Sequence, residues 1–112
     1  MDTKRQEKIS RLVQRTLGEI FQFETAHLFG GAMITVTHVH VTKDLGLARV
    51  YVSLFATGDK KALFSKIENN KSEIRGKLGN KIGKQVRKIP DLRFYLDEAL
   101  DQIERIDDLL DE

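Results

Sequence analysis

The chain has no cysteine, no tryptophan and a single proline. Without cysteine there is no disulfide, no thiol nucleophile and no cysteine metal site. No apolar run approaches the roughly 18 residues of a membrane-spanning helix. The opening MDTKRQEKIS is polar, so no signal peptide is read there. A cytoplasmic protein with no membrane association is expected. With 112 residues, 40% of them hydrophobic, the chain has the size of one domain spanning 1–112 and one modest core.

Charge is segregated. Up to Leu96 there are 18 Lys/Arg against 9 Asp/Glu, and from Asp97 onward 1 against 8. A basic body of +9 therefore carries an acidic end of −7, although the net charge is only +2. Such a body favours anionic partners.

The densest basic stretch is KSEIRGKLGNKIGKQVRK, from Lys71 to Lys88. Lys71, Arg75, Lys77, Lys81, Lys84, Arg87 and Lys88 face one acid, Glu73. On a helix Ile74, Leu78, Ile82, Val86 and Ile89 share a face, and Lys77, Lys81, Lys84 and Lys88 share an arc of roughly 60°. A helix from Ser72, its cap, to Ile89 is predicted, ended by Pro90 because proline disfavours helix in the residue before it. Gly76, Gly79 and Gly83 cost about 1 kcal/mol each in a helix, which implies close approach, by the first helix or by an RNA backbone. Gly76-Lys77-Leu78-Gly79 spells Gly-x-x-Gly, but the apolar stripe continues through it, so it is read as helix rather than a phosphate-clamping loop. Gly79–Gln85 fails as a P-loop: Leu78 and Gln85 stand where Gly and Ser/Thr are needed.

Thr3 caps a first helix, with Gln6 at the capping-box position. Ile9, Leu12, Val13, Leu17, Ile20 and Phe23 carry it to about Phe23. Its other side bears Lys4, Lys8, Arg11 and Arg15, with no interleaved acid to pair them. That stripe is either a solvated face or part of an anion-binding surface. Met33–Lys43 reads as a strand in which the apolar parity switches, placing a bulge near Thr37–His38. A turn at Lys43–Gly46 leads to a second strand, Leu47–Phe55, alternating Ala48, Val50, Val52 and Leu54 with Arg49, Tyr51 and Ser53. Asp59 caps another helix, Asn69–Ser72 breaks it, and Leu92, Phe94 and Leu96 mark a third strand. A short acidic helix follows from Asp97. The order α-β-β-α-α-β-α predicts an α+β fold: a small three-stranded sheet with helices packed on it.

His38 and His40 share a strand face unless the bulge intervenes. With no cysteine and no neighbouring acid they read as surface groups, so no metal site and no cofactor are expected. Tyr51 and Tyr95 fall on solvent-facing strand positions, where base stacking and ordinary sheet packing both fit. No nucleophile or acid–base constellation points to an enzyme or a small-molecule substrate.

The hairpin ITVTHVHVTKDLGLARVYVSLF, followed after two helices by KIPDLRFYLDEAL, resembles the ribosome-binding factor A family. Asp44-Leu45 and Ala48 leading into Val50-Tyr51-Val52-Ser53 carry the resemblance, as do Pro90, Leu92, Phe94 and Asp97 behind a basic helix. It covers nearly the whole chain. It implies a type II KH-like fold and a non-enzymatic assembly factor, tied to growth in the cold, that binds the immature small (30S) ribosomal subunit and its 16S rRNA late in maturation and rRNA processing. The family's Ala-x-Gly kink falls by chain order on Asn70-Lys71-Ser72, where neither residue is present. The expected RNA contacts are Lys71, Ser72, Arg75, Lys77, Lys81, Lys84, Arg87 and Lys88, extended by Lys4, Lys8, Arg11 and Arg15. The free protein is expected to be a monomer. A general DNA- or RNA-binding module without a ribosomal role is the alternative.

Overall fold

The computed structural model describes residues 3–55 and 58–97. The acidic helix expected after Asp97 lies outside these residues. Three α-helices and three strands form the α+β arrangement expected from the element order, in the type II KH-like form that the resemblance implies: α1 (Lys4–Glu19), β1 (Met33–Val41), β2 (Leu47–Phe55), α2 (Lys60–Asn69), α3 (Lys71–Ile82) and β3 (Asp91–Leu96). The strand order is β1-β2-β3. The β1–β2 hairpin is antiparallel and β3 runs parallel to β2. A parallel neighbour requires a crossover, and α2 with α3 supplies it.

Local chemistry sets most boundaries. Thr3 and Gln6 close a reciprocal capping box at the start of α1. The Asp59 carboxylate accepts from the Ala62 N–H at the start of α2. The register between β1 and β2 shifts between Val36 and His38, so a bulge lets Val36 and then Val39 and Val41 all face the core. These pack with Ala48, Val50, Val52 and Leu54 of β2, Leu92 and Phe94 of β3, and Val13, Leu17, Ile74, Leu78 and Ile82 from the helices.

α1 also seals the sheet edge. As the outer strand, β1 has one row of backbone groups that no strand pairs. Gln6, Ser10 and Gln14 recur at helical spacing and meet that row. The Gln6 side-chain amide donates to the Val41 carbonyl at 3.1 Å, and the Ser10 hydroxyl accepts from the Val41 N–H at 3.1 Å. Gln14 reaches the carbonyls of Val36 and Thr37 at the bulge, each at 3.4 Å. Polar groups buried this way cost little because each has a partner.

Three expectations need correction. The first helix does not carry Phe23 inward. A π turn over Ile20–Glu24 follows α1, and the wider turn advances the register, so Phe21 is buried while Phe23 is 74% exposed. Second, α3 starts at Lys71, so Ser72 lies inside its first turn. The break is Asn70 alone, whose side-chain amide donates to the Lys66 carbonyl at the end of α2.

Third, α3 ends at Ile82 rather than Ile89. The Gly83 N–H donates to the Gly79 carbonyl, and the Gln85 N–H then closes a tighter turn on Ile82. A Cβ on Gly83 would sit 2.6 Å from the Gly79 oxygen, so this turn needs glycine. The chain then folds back and Ile89 packs over Gly79, at 3.5 Å from where a Cβ would stand. Neither Gly79 nor Gly83 packs on α1, and Gly76 has nothing within 4 Å of a Cβ position. Lys84, Arg87 and Lys88 thus leave the helical row expected for them.

Candidate nucleic-acid interface

The basic residues divide by what holds them. Arg75 braces the entry to β3. Its guanidinium donates to the carbonyls of Ile89 at 2.8 Å and Pro90 at 3.1 Å and lies 3.4 Å from the Asp91 carboxylate. Lys81 reaches Glu24 of the π turn at 3.3 Å, and this Glu24 oxygen is shielded from solvent. Lys71 pairs with Glu68 at 3.3 Å across the Asn70 break.

Lys4, Lys8, Arg11 and Arg15 on α1, with Lys77, Lys84 and Arg87, have no carboxylate within ion-pair distance among the described residues. The α1 stripe and the segment after α3 meet at a groove. Lys8, Arg11 and Arg15 line it from α1 with Ile9 and Leu12, and Gln85 and Val86 line it from the other side. Lys84 and Arg87 flank those last two residues in the chain. The backward fold at Gly83 thus sets Gln85 and Val86, which Lys84 and Arg87 flank in sequence, against the cationic face of α1.

Lys88 sits at the far end of this segment, against the hairpin turn with Thr42, Lys43 and Asp44. The Asp44 carboxylate accepts from the Gly46 N–H at 3.0 Å and from the Thr42 hydroxyl at 2.7 Å. Those two bonds, with a smaller contribution from the Lys88 charge, hold its carboxyl below the ordinary carboxylate value. Ser72 is exposed on α3. No group of three His, Asp or Glu side chains is placed to hold a metal ion among the described residues. No described helix is long and apolar enough to cross a membrane.

A basic groove is common to many nucleic-acid binders, so the family decides more than the groove does. The model of the ribosome-binding factor A family matches residues 5–110. The chain belongs to the ribosome-binding factor A family. A family member from Cytophaga hutchinsonii is 39% identical over 110 residues, covering 98% of this chain and 83% of that one. One from Prosthecochloris aestuarii is 42% identical over 106 residues, covering 94% and 85%. The crystal structure of ribosome-binding factor A from Thermus thermophilus matches with a TM-score of 0.68 at 20% identity, over 81% of this chain and 94% of the other. A homology model of the Thermus thermophilus factor, fitted into a cryo-EM map of its complex with the 30S subunit, matches with a TM-score of 0.61 at 27% identity, over 80% and 91%.

What sequence reasoning missed is the internal employment of Lys71, Arg75 and Lys81. Their partners Asp91 and Glu24 are distant along the chain, and no local pattern announces them. Glu68, three residues before Lys71, was within reach of an i,i+3 reading.

Proposed function

We propose that this chain binds the immature small ribosomal subunit through its 16S rRNA, as a non-catalytic factor acting late in maturation and rRNA processing. Family membership supports the class, and a relative's 30S complex supports the partner. The observation that carries the site is the groove between α1 and the segment after α3, where cations gather without carboxylate partners among the described residues. Such groups neutralise phosphates and fix register on RNA, with little reading of bases. In this reading Lys4, Lys8, Arg11, Arg15, Lys77, Lys84 and Arg87 contact RNA directly, with Ser72 and Lys88 at its margins. Lys71, Arg75 and Lys81 support the surface by holding its frame.

The test is co-sedimentation with small subunits of the wild type and of a variant with Lys8, Arg11, Lys84 and Arg87 all changed to Glu. Wild-type affinity should fall by about two to three orders of magnitude between 50 and 200 mM salt if some six phosphates are met. The variant should no longer co-sediment while its circular dichroism is unchanged. A folded variant that still sediments with the subunit rejects the surface. Equal affinity of the wild type for duplex DNA and for subunits at matched salt would favour a general nucleic-acid binder instead.

A further inference from the structure

The helices cover one face of the sheet and leave the other without a packed layer among the described residues. Two rows of side chains cross that open face, each taking one residue from every strand or its register partner. His38, Tyr51 and Tyr95 form the first row. The rings of Tyr51 and Tyr95 are stacked with centroids 5.1 Å apart, and His38 tilts against Tyr51 at 5.8 Å. His40, Arg49 and Arg93 form the second row, one step along the strands. The Arg93 guanidinium also lies over the Tyr95 ring at 5.8 Å, tying the rows together. Ring packing across the strands accounts for the tyrosines as sheet neighbours. It does not account for Arg49, and the contact of Arg93 with Tyr95 leaves the two positive charges side by side.

Arg49 and Arg93 are direct partners in the β2–β3 register. Like charges facing each other across a sheet are destabilising. Both side chains are exposed, and neither has a carboxylate partner among the described residues. The Asp97 carboxylate shares the depression formed by His38, His40, Arg49 and Tyr51, but the Thr37 hydroxyl donates to it at 2.6 Å. An anion is the chemistry that relieves this pair. The two rows lie two residues apart along the strands, or about 6.6 Å. That is close to the reach from a nucleotide's phosphate to its own base.

We infer that the open face of the sheet holds unpaired nucleotides of a single-stranded RNA, with bases against the His38–Tyr51–Tyr95 row and phosphates on Arg49 and Arg93. The inference rests on the reading that the partner is RNA, but it uses the opposite side of the molecule from the helical groove. Single strands fit because a ring reaches a base face only where bases are unstacked from one another. A duplex would present its phosphates to the helical groove and no base faces to the tyrosines. The helical groove then supplies salt-dependent attachment, and the sheet selects unpaired segments.

The test uses the full chain, with anisotropy of a labelled single-stranded RNA of about ten nucleotides and of an RNA duplex of similar length. A variant carrying Tyr95→Leu and Arg93→Gln should bind the single strand at least about tenfold more weakly, since one base stacked on a ring contributes about 1–3 kcal/mol. Its duplex affinity should stay within about twofold. Tyr95→Phe, which keeps the ring, should restore the stacking share of the loss. Ultraviolet crosslinking of the single strand should map to the peptides holding Tyr51 and Tyr95. Unchanged single-strand affinity in a folded Tyr95→Leu/Arg93→Gln variant would overturn the inference. So would a change in melting temperature with no change in affinity, which would leave Tyr95 and Arg93 with a packing role alone. Either outcome leaves the helical groove standing, because that reading is tested separately by subunit co-sedimentation of the Lys8, Arg11, Lys84 and Arg87 variant.

Discussion

Lys71, Arg75 and Lys81 on α3 each have a partner inside the molecule. Lys8, Arg11 and Arg15 on α1, with Lys84 and Arg87 after α3, have none among the described residues. The two groups are equally basic in sequence and differ in employment. A cation bound to a carbonyl or carboxylate of its own chain has committed part of its donor set, and RNA must compete for that part. A cation without such a partner loses only water when a phosphate arrives. The richest basic stretch of the sequence is therefore not uniformly free of internal partners.

The largest effect that sharpens this contrast is expected at Arg75. Arg75→Ala removes donation to two backbone carbonyls, and hydrogen bonds to charged groups are worth about 1.5–3 kcal/mol. The side chain is 43% exposed, so the lower end applies, about 2 kcal/mol, with a melting temperature lower by roughly 8 °C. Subunit affinity, measured well below the new melting temperature, should change less than about threefold. A variant with unchanged melting temperature but lost binding would move Arg75 into the contact group.

Lys81→Met should act in the same direction and less strongly. It strands the shielded Glu24 oxygen without its counter-charge. The pair is partly exposed, so a loss of about 1 kcal/mol is expected in urea denaturation. The double variant Lys81→Met/Glu24→Met should recover most of it, because removing both partners leaves no unpaired charge. If the double variant is no more stable than Lys81→Met, the loss does not come from a stranded Glu24 charge.

Much of the frame was legible before any coordinates. The Thr3–Gln6 box, the Asp59 cap, the parity switch at Thr37–His38 and the alternation of β2 are local signals, and local signals set element type. The end of α3 was not legible, because Val86 and Ile89 continue the 3.6-residue period by coincidence. They pack after a reversal at Gly83 that period alone does not encode. Phe23 was placed inward for a similar reason: one π turn shifts every later position. The polar side chains Gln6, Ser10 and Gln14 gave no apolar signal, yet they face the sheet, since their role is to satisfy an edge rather than fill a core. Of the candidate site, the cations were visible and their partners mostly were not.

Lys88 stands between the two groups and gives the smallest effect. It lies near Asp44 but ranks below the Gly46 N–H and the Thr42 hydroxyl in holding that carboxyl down. The folded pKa of Asp44 is depressed relative to the unfolded chain. The unfolded chain therefore takes up this proton first as pH falls. The contribution is complete above the ordinary carboxylate range and is lost as pH falls through the folded value. Asp44→Asn should lower the urea midpoint at neutral pH, and the gap to the wild type should close under acid. Lys88→Gln should leave most of that pH dependence in place, because the two stronger causes remain. A gap between Asp44→Asn and wild type that stays constant with pH would mean that Asp44 shapes the turn without its charge. Lys88 would then have no electrostatic task inside the molecule, and it would join the cations left available to a phosphate.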